Sequence, residues 1–381
     1  MGTRRVTAPE ELLVSTELNV LVLGGYGNFG RLIVRRLASV AGVRVLVAGR
    51  NLEKAQAVAE AQGARAVRLD IDEPGLAEAF SRLDVQVVIS TVGPFQGQDY
   101  RVAEAALAAG SHYIDLADAR GFVCGITRLD EVARQRGVLL CAGASSVPGL
   151  SAAVVDELLP RFGRLERIEH GISSSEKTPG VSTLAAVLNY CGRPIRCWRD
   201  GQWRSVYGWQ DLRLQRFRAP MGSRWIGACD VPDLELFPAR YPGVREVSFR
   251  AGVGLRLTQF GTWALSWLVR AGLVRDAVRL APLLRRGAVM LEPLGDGLSG
   301  MFVRLSGQDP SGLPLTLTWE LLAHDNDGPN IPCMAAVALV RKLANGSLVA
   351  RGAMPCIGLF STQEYLAELE GMRIETQVRE G

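Results

Sequence analysis

One stretch near the N-terminus constrains this chain more than any other. Residues 19–23 (NVLVL) are an apolar run, and Gly24-Gly25-Tyr26-Gly27-Asn28-Phe29-Gly30 follows directly. Gly25, Gly27 and Gly30 spell G-x-G-x-x-G. Gly30, Ile33, Val34 and Leu37 then recur at i, i+3, i+4 and i+7, the period of a helix face. An apolar run of this kind suits a strand buried on both sides of a parallel sheet. Strand, glycine turn and helix together are the context in which the motif binds a dinucleotide. Gly25 permits the tight turn, Gly27 lets the backbone approach a pyrophosphate, and Gly30 lets helix and strand pack closely. The helix N-terminus presents free N–H groups and a positive dipole end to the phosphates. Tyr26, Asn28 and Phe29 lie inside the loop and join the three glycines as coenzyme-site candidates.

The pattern continues downstream. A second strand, residues 43–48, ends in Gly49-Arg50-Asn51. Sites for NAD place an acid about 20 residues beyond the glycines, on the ribose hydroxyls. Arg50 stands there instead. A guanidinium pairs bidentately with phosphate and stacks on adenine. The spacing therefore predicts NADP(H) in preference to NAD(H), with Arg50 and Asn51 at the adenosine end and Lys54 and Arg65 adding charge. The bland alternative for Arg50 is a solvated loop residue. A third strand, residues 66–69, ends in Asp70-Ile71-Asp72. Asp70 would accept from the adenine amino group with Ile71 against the ring, unless the stretch is a plain strand-end turn. A fourth strand, residues 85–90, runs into Thr91-Val92-Gly93-Pro94-Phe95. Open α/β sheets bind ligands at such carboxyl ends, so Thr91, Gly93, Pro94 and Phe95 are candidates. A helix over 99–109 and strands at 113–116 and 138–142 follow. Six strands alternating with helices predict an α/β, doubly wound parallel sheet of Rossmann type. Ser145, with Ser146 beside it, comes after the sixth strand. Either it contacts the coenzyme, or the pair caps the next helix.

From Leu165 the pattern changes to hairpins. Residues 195–199 and 202–206 flank Asp200-Gly201, a two-residue hairpin signal. Residues 302–306 and 315–322 flank a Gly/Pro turn. This predicts a second, α+β domain with a mixed, mostly antiparallel sheet. The expected divisions are 17–147 for coenzyme binding, 148–328 for substrate and dimerisation, and 329–370 for a closing segment. His170, Lys177, Asn189 and Arg193 are polar groups in elements that would face a cleft. Six tryptophans between 198 and 267 tilt the substrate towards something bulky or apolar, unless they are core. The region 260–286 is apolar, with arginines at 270, 275, 279, 285 and 286. It reads as an amphipathic surface for anionic membrane or lipid, or as a core or dimer helix. Gly272 and Pro282 argue against one uninterrupted helix.

Composition sets the outer limits. Charge is +4, from 43 basic and 39 acidic residues, too small an excess for a nucleic-acid binder. Seven cysteines without a C-x-x-C pair, and only three histidines, predict reduced thiols and no metal site. Asp325-Asn326-Asp327-Gly328 reads as a turn, since no glutamate follows where an EF-hand needs one. Residues 1–15 do not read as a signal peptide, and no run of 18 apolar residues appears. These features point to a cytoplasmic protein without a membrane span.

Several segments together resemble the saccharopine dehydrogenase-like oxidoreductases. They are 23–30 (LGGYGNFG), 48–52 (AGRNL), 91–95 (TVGPF), 109–118 (AGSHYIDLAD) and 143–149 (GASSVPG). The resemblance covers roughly the first 150 residues. It implies NADP(H) as coenzyme, Gly93-Pro94-Phe95 as the turn bordering the nicotinamide, and a homodimer. It also implies a return of the chain to the first domain, with 333–343 and 354–369 docking there. It supplies no substrate, because fold does not carry one. The expected activity is hydride transfer to or from a C=N, C=O or activated C=C bond of a small molecule. His112 and Tyr100 are the candidate proton donors, each with a structural alternative. The competing expectation is a non-catalytic NADP(H)-binding protein at a membrane surface, lipid or partner. An epimerase is disfavoured because no lysine has a tyrosine four residues before it.

Overall fold

The computed structural model describes residues 17–175 and 180–381; Lys177 lies outside them. Its first sheet contains β1 (Leu18–Leu23), β2 (Val43–Gly49), β3 (Arg65–Arg68), β4 (Val87–Ser90), β5 (His112–Asp115) and β6 (Leu139–Ala142). The order is β3-β2-β1-β4-β5-β6, and every pairing is parallel. Val20 and Val22 face one side of the sheet and Leu21 and Leu23 the other, all fully or almost fully buried. That two-sided burial is why β1 shows no polar alternation. β3, at the edge, keeps Arg65 and Arg68 exposed. The helix Gly30–Leu37 buries Gly30, Ile33, Val34 and Leu37, the four positions its period marked. Strand order reverses at β1, whose neighbours are β2 and β4. A crevice therefore opens at their carboxyl ends, where the glycine loop sits.

The second sheet is mixed. It contains β7 (Arg164–Ser174), β8 (Pro194–Arg199), β9 (Gln202–Tyr207), β10 (Arg213–Arg216), β11 (Ser223–Ala228), β12 (Glu246–Val253), β13 (Ser299–Gln308) and β14 (Pro314–Ala323). Only β12 and β7 pair in parallel; the other pairings are antiparallel. The β8–β9 turn has Asp200 at φ 55° and Gly201 at φ 73°, the left-handed pair that a tight hairpin requires. The 325–328 stretch is likewise a turn. Asp325 pairs with Arg373 at 2.7 Å, and Asp327 accepts from the Arg373 amide.

After β14 the chain visits both sheets again. The helix Met334–Ala344 buries every side chain from Met334 to Val340. β15 (Gly352–Pro355) then adds a seventh parallel strand beside β6. β16 (Ile374–Glu380) crosses back to the second sheet, antiparallel to β14. This last strand falls beyond the expected closing segment. One hydrophobic cluster runs without a break from Val20 and Ile33, through the 334–344 helix, to Trp319 on the second sheet. All seven cysteines are free thiols, six of them buried.

Candidate active site

The glycine loop is shaped by close backbone packing. Gly24 has φ 75°, which a side chain would strain. A Cβ on Gly25 would lie 2.8 Å from Val47 Cγ1, and one on Gly30 would overlap the Gly24 carbonyl. The Gly27 amide donates to Gly24 O at 2.8 Å and closes the turn. The amides of Tyr26, Asn28, Phe29 and Gly30 donate to nothing among the described residues. They lie in the loop that leads into the helix Gly30–Leu37, whose N-terminus carries a positive dipole end. This cradle fits a pyrophosphate, the group that the motif implies.

The residues expected at an adenosine end lie beyond β2. Arg50 is exposed just beyond β2, with no ion-pair or hydrogen-bond partner among the described residues. Asn51 caps the helix Leu52–Glu60, its side chain accepting from the Lys54 amide at 2.9 Å. Its own amide donates to the Tyr26 hydroxyl at 3.2 Å. The Tyr26 ring lies over Gly49, at a place where any Cβ would collide with it. Asp70 accepts from the Asp72 amide at 3.1 Å as a turn residue. Ile71 packs partly buried against the core.

At the nicotinamide end several candidates have other partners. Thr91 Oγ1 donates to Leu23 O at 2.9 Å and so ties β4 to the glycine loop. Phe95 is buried against Phe122 at 5.3 Å between ring centroids. Both are supports beneath the crevice; Gly93 and Pro94 lie nearer its surface. Ser145 is almost fully buried, and neither it nor Ser146 makes a side-chain cap. Tyr100 does not suit a proton donor. Its hydroxyl is buried and donates to Phe122 O, with the Arg128 guanidinium over its ring.

His112 does not suit the role either, for a geometric reason. It is the first residue of β5, roughly 10 Å of strand away from the carboxyl end where ligands bind. Its Nδ1 accepts from the Leu139 amide at 2.9 Å. Burial, with Arg351 nearby, pushes its pKa down to about 4. Folding therefore favours the neutral ring. The stability it contributes is present above pH about 6.5 and is lost as pH falls through about 4. We expect His112→Asn, which keeps an acceptor but cannot titrate, to lose roughly 2 kcal/mol less than the native chain over that range. Denaturant midpoints at both ends of the range measure this.

His170 is also buried rather than facing the cleft. Its Nε2 lies 3.1 Å from Asp233 Oδ1, and the Ser151 hydroxyl donates to the same oxygen. The rings of Phe237 and Phe249 enclose it. The trio fastens the helix Ser151–Leu158, the helix Asp233–Arg240 and β7 together. Asn189 is half-buried and Arg193 exposed. The tryptophans divide as well. Trp209 is core, Trp198 donates to Val244 O at 2.9 Å, and Trp263 and Trp267 lie along the helix Arg256–Arg270.

The structure instead brings together a cluster that spacing alone did not single out. Asp118, three residues past β5, accepts from Gln96 Nε2 at 3.1 Å. The amide oxygen of Gln96, Oε1, is buried without a partner among the described residues. Facing them from the second domain are Tyr190, Cys229 and Asp230. Tyr190 Oη and Cys229 Sγ are 2.6 Å apart. Arg120 holds Asp230 at 2.5 Å. Burial raises the pKa of Asp118, and the Asp230 charge adds to the rise. Asp230 is raised by burial too, although Arg120 opposes this. Burial likewise lifts the Tyr190 phenol and the Cys229 thiol, so both keep their protons. Beneath the cluster, Asp115 accepts from the Ala117 and Gly143 amides at 2.9 and 2.8 Å and locks β5 to β6. A Cβ on Gly180 of the second domain would lie 3.1 Å from Asn28 Nδ2 in the glycine loop. The glycine loop, Gln96 and Asp118 thus follow the carboxyl ends of the neighbouring strands β1, β4 and β5.

Residues 20–139 match the model of the saccharopine dehydrogenase NADP binding domain family. A curated protein of Mycobacterium tuberculosis, named as a trans-acting enoyl reductase, is 33% identical over 106 residues. That match spans 26% of this chain and 25% of the relative, so about a quarter of each. Among solved structures, saccharopine dehydrogenase (L-Glu forming) from Saccharomyces cerevisiae superposes with a TM-score of 0.68 at 15% identity, over 95% of this chain and 100% of that one. The homospermidine synthase of Legionella pneumophila, solved in complex with NAD, gives a TM-score of 0.62 at 11% identity, over 96% and 92%. At these identities the structures show a shared fold across both sheets. The family-model match marks residues 20–139 as similar to a saccharopine dehydrogenase NADP binding domain, and the superpositions show the fold shared by the whole chain.

Proposed function

We propose that this chain is an NADP(H)-dependent oxidoreductase acting on a C=N, C=O or activated C=C bond of a small molecule. The observation that carries the reading is the placement of two features along one edge of the first sheet. One is a loop with four unspent amides; the other is a set of proton-bearing side chains at the carboxyl ends of β4 and β5. Bound NADP(H) would supply the hydride. The amides of Tyr26, Asn28, Phe29 and Gly30 would hold its pyrophosphate, and Arg50 its additional phosphate.

Reduction of such a bond needs a proton as well as a hydride. Asp118 is suited to hold it. Gln96 occupies one of its oxygens, which leaves the other for a proton, and burial beside Asp230 favours the protonated form. Tyr190 is the neighbouring donor. Arg120 anchors Asp230 and keeps the cluster in register.

Titration of NADPH and NADH by calorimetry tests the coenzyme half of this reading. Screening NADPH oxidation against imines, ketones and enoyl thioesters tests the chemistry. Uptake of coenzyme without turnover on any class would count against an enzyme. On a substrate so found, Asp118→Asn should lower kcat by roughly 100-fold to 10,000-fold with little change in NADPH affinity. An unchanged kcat would move the proton to Tyr190.

A further inference from the structure

The helix Arg256–Arg270 packs Leu265 and Val269 partly against the core but turns much of its apolar surface outward. The side chains it buries are Gln259 and Ser266, while Leu257, Phe260, Trp267 and Leu268 are exposed. Gln259 accepts from the Val253 amide at 3.1 Å while its Nε2 is buried without a partner among the described residues, and Ser266 donates to Trp263 O at 2.6 Å. An aromatic row runs along the outside, with Trp225, Phe260, Trp263 and Trp267 spaced 5.7, 6.5 and 6.4 Å from ring to ring. Gly272, at φ 76°, ends this helix. The next, Ala281–Leu291, buries only Ala281. Leu273, Leu283, Met290 and Leu294 stand 66 to 80% exposed around it. Water is a poor environment for so much contiguous apolar surface, and patches of this kind mark contact sites.

Charge identifies what covers it. Residues 256–294 carry six arginines, at 256, 270, 275, 279, 285 and 286, against Asp276 and Glu292. Their net +4 equals the excess of the whole chain, so the remaining residues balance at 37 of each sign. All six arginines are exposed. A second copy packed here would set two positive faces against each other. An anionic bilayer offers both a headgroup layer for the arginines and an apolar layer for the tryptophans and leucines. No helix among the described residues is long and apolar enough to cross a membrane.

We infer that the helices Arg256–Arg270 and Ala281–Leu291 form a docking face for an anionic phospholipid surface. The face adjoins the crevice. The 281–291 helix packs on the helix Val181–Asn189, and a Cβ on Gly180, just before that helix, would lie 3.1 Å from Asn28 Nδ2. On the oxidoreductase reading, a substrate carrying an acyl chain would pass from the lipid to the coenzyme along this route; that clause alone rests on the proposed activity.

Co-sedimentation of the full chain with vesicles of phosphatidylglycerol and phosphatidylcholine, without coenzyme, tests the face separately from turnover. Binding should appear with the anionic mixture, fall steeply at high salt and be weak on phosphatidylcholine alone. Tryptophan emission should shift to the blue and be quenched by brominated acyl chains. Arg285→Glu combined with Arg286→Glu should weaken binding at least tenfold. Trp267→Ser should weaken it and remove part of the quenching, while NADPH titration of both variants stays unchanged. Absence of vesicle binding, equal binding by the variants, or a dimer in sedimentation velocity that Trp267→Ser dissociates would overturn the inference. Failure of coenzyme uptake would overturn the activity and leave this face standing.

Discussion

Alanine at position 30 is expected to abolish measurable NADPH uptake and to lower stability by roughly 1–3 kcal/mol. The added methyl of Gly30→Ala would overlap the Gly24 carbonyl and crowd the Gly25 Cα, all backbone atoms that cannot rotate away. Loop and helix start must separate, and the four amides then shift with them. Each charge-assisted hydrogen bond is worth about 1.5–3 kcal/mol, so loss of two exceeds a hundredfold in affinity. Gly261→Ala supplies the control, because its methyl meets open space on an exposed helix. Calorimetric titration and thermal denaturation of the two variants separate the effects. An alanine at 30 that binds NADPH normally would remove the glycine loop from the coenzyme site.

Removal of the Arg50 side chain is expected to discriminate between coenzymes. Arg50→Ala should weaken NADPH by about 1–3 kcal/mol, a factor of roughly 5–150, and leave NADH nearly unaffected. The reason is chemical. The two coenzymes differ by one phosphate, and Arg50 is an exposed guanidinium at the end of β2 with no partner among the described residues. Arg50→Lys should recover only part of the loss, because an ammonium cannot form the bidentate fork. Equal weakening of both coenzymes would assign Arg50 to general attraction, and the preference for NADP(H) would fall with it.

The strand, glycine turn and helix at residues 18–37 were legible because their signals are local. Three glycines, one apolar run and one helical period lie within about 20 consecutive residues, and each has a single geometric use. The acid cluster is not local. Gln96, Asp118, Arg120, Tyr190, Cys229 and Asp230 come from separate stretches of chain, and only tertiary packing joins them. One hint was present, since Asp118 closes the 109–118 segment that carries the family resemblance. His112 shows the opposite failure. β5 is four residues long, and spacing cannot tell which end of so short a strand faces the ligand. β16 was hidden for another reason. It is an edge strand that is mostly exposed, so its sequence lacks the apolar face by which strands are recognised. The 256–270 helix shows that periodicity marks two faces without saying which one turns inward.

The order in which the strands were laid down has a consequence for biosynthesis. β6 leaves the ribosome long before its neighbour β15, and the whole second sheet except β16 is made in between. Until residues 352–355 emerge, one margin of the nascent nucleotide-binding layer has unpaired N–H and C=O groups, the condition that invites mispairing with other chains. Emergence of residues 352–380 is thus the event that completes both sheets, and a product cut short before them would be open at two margins.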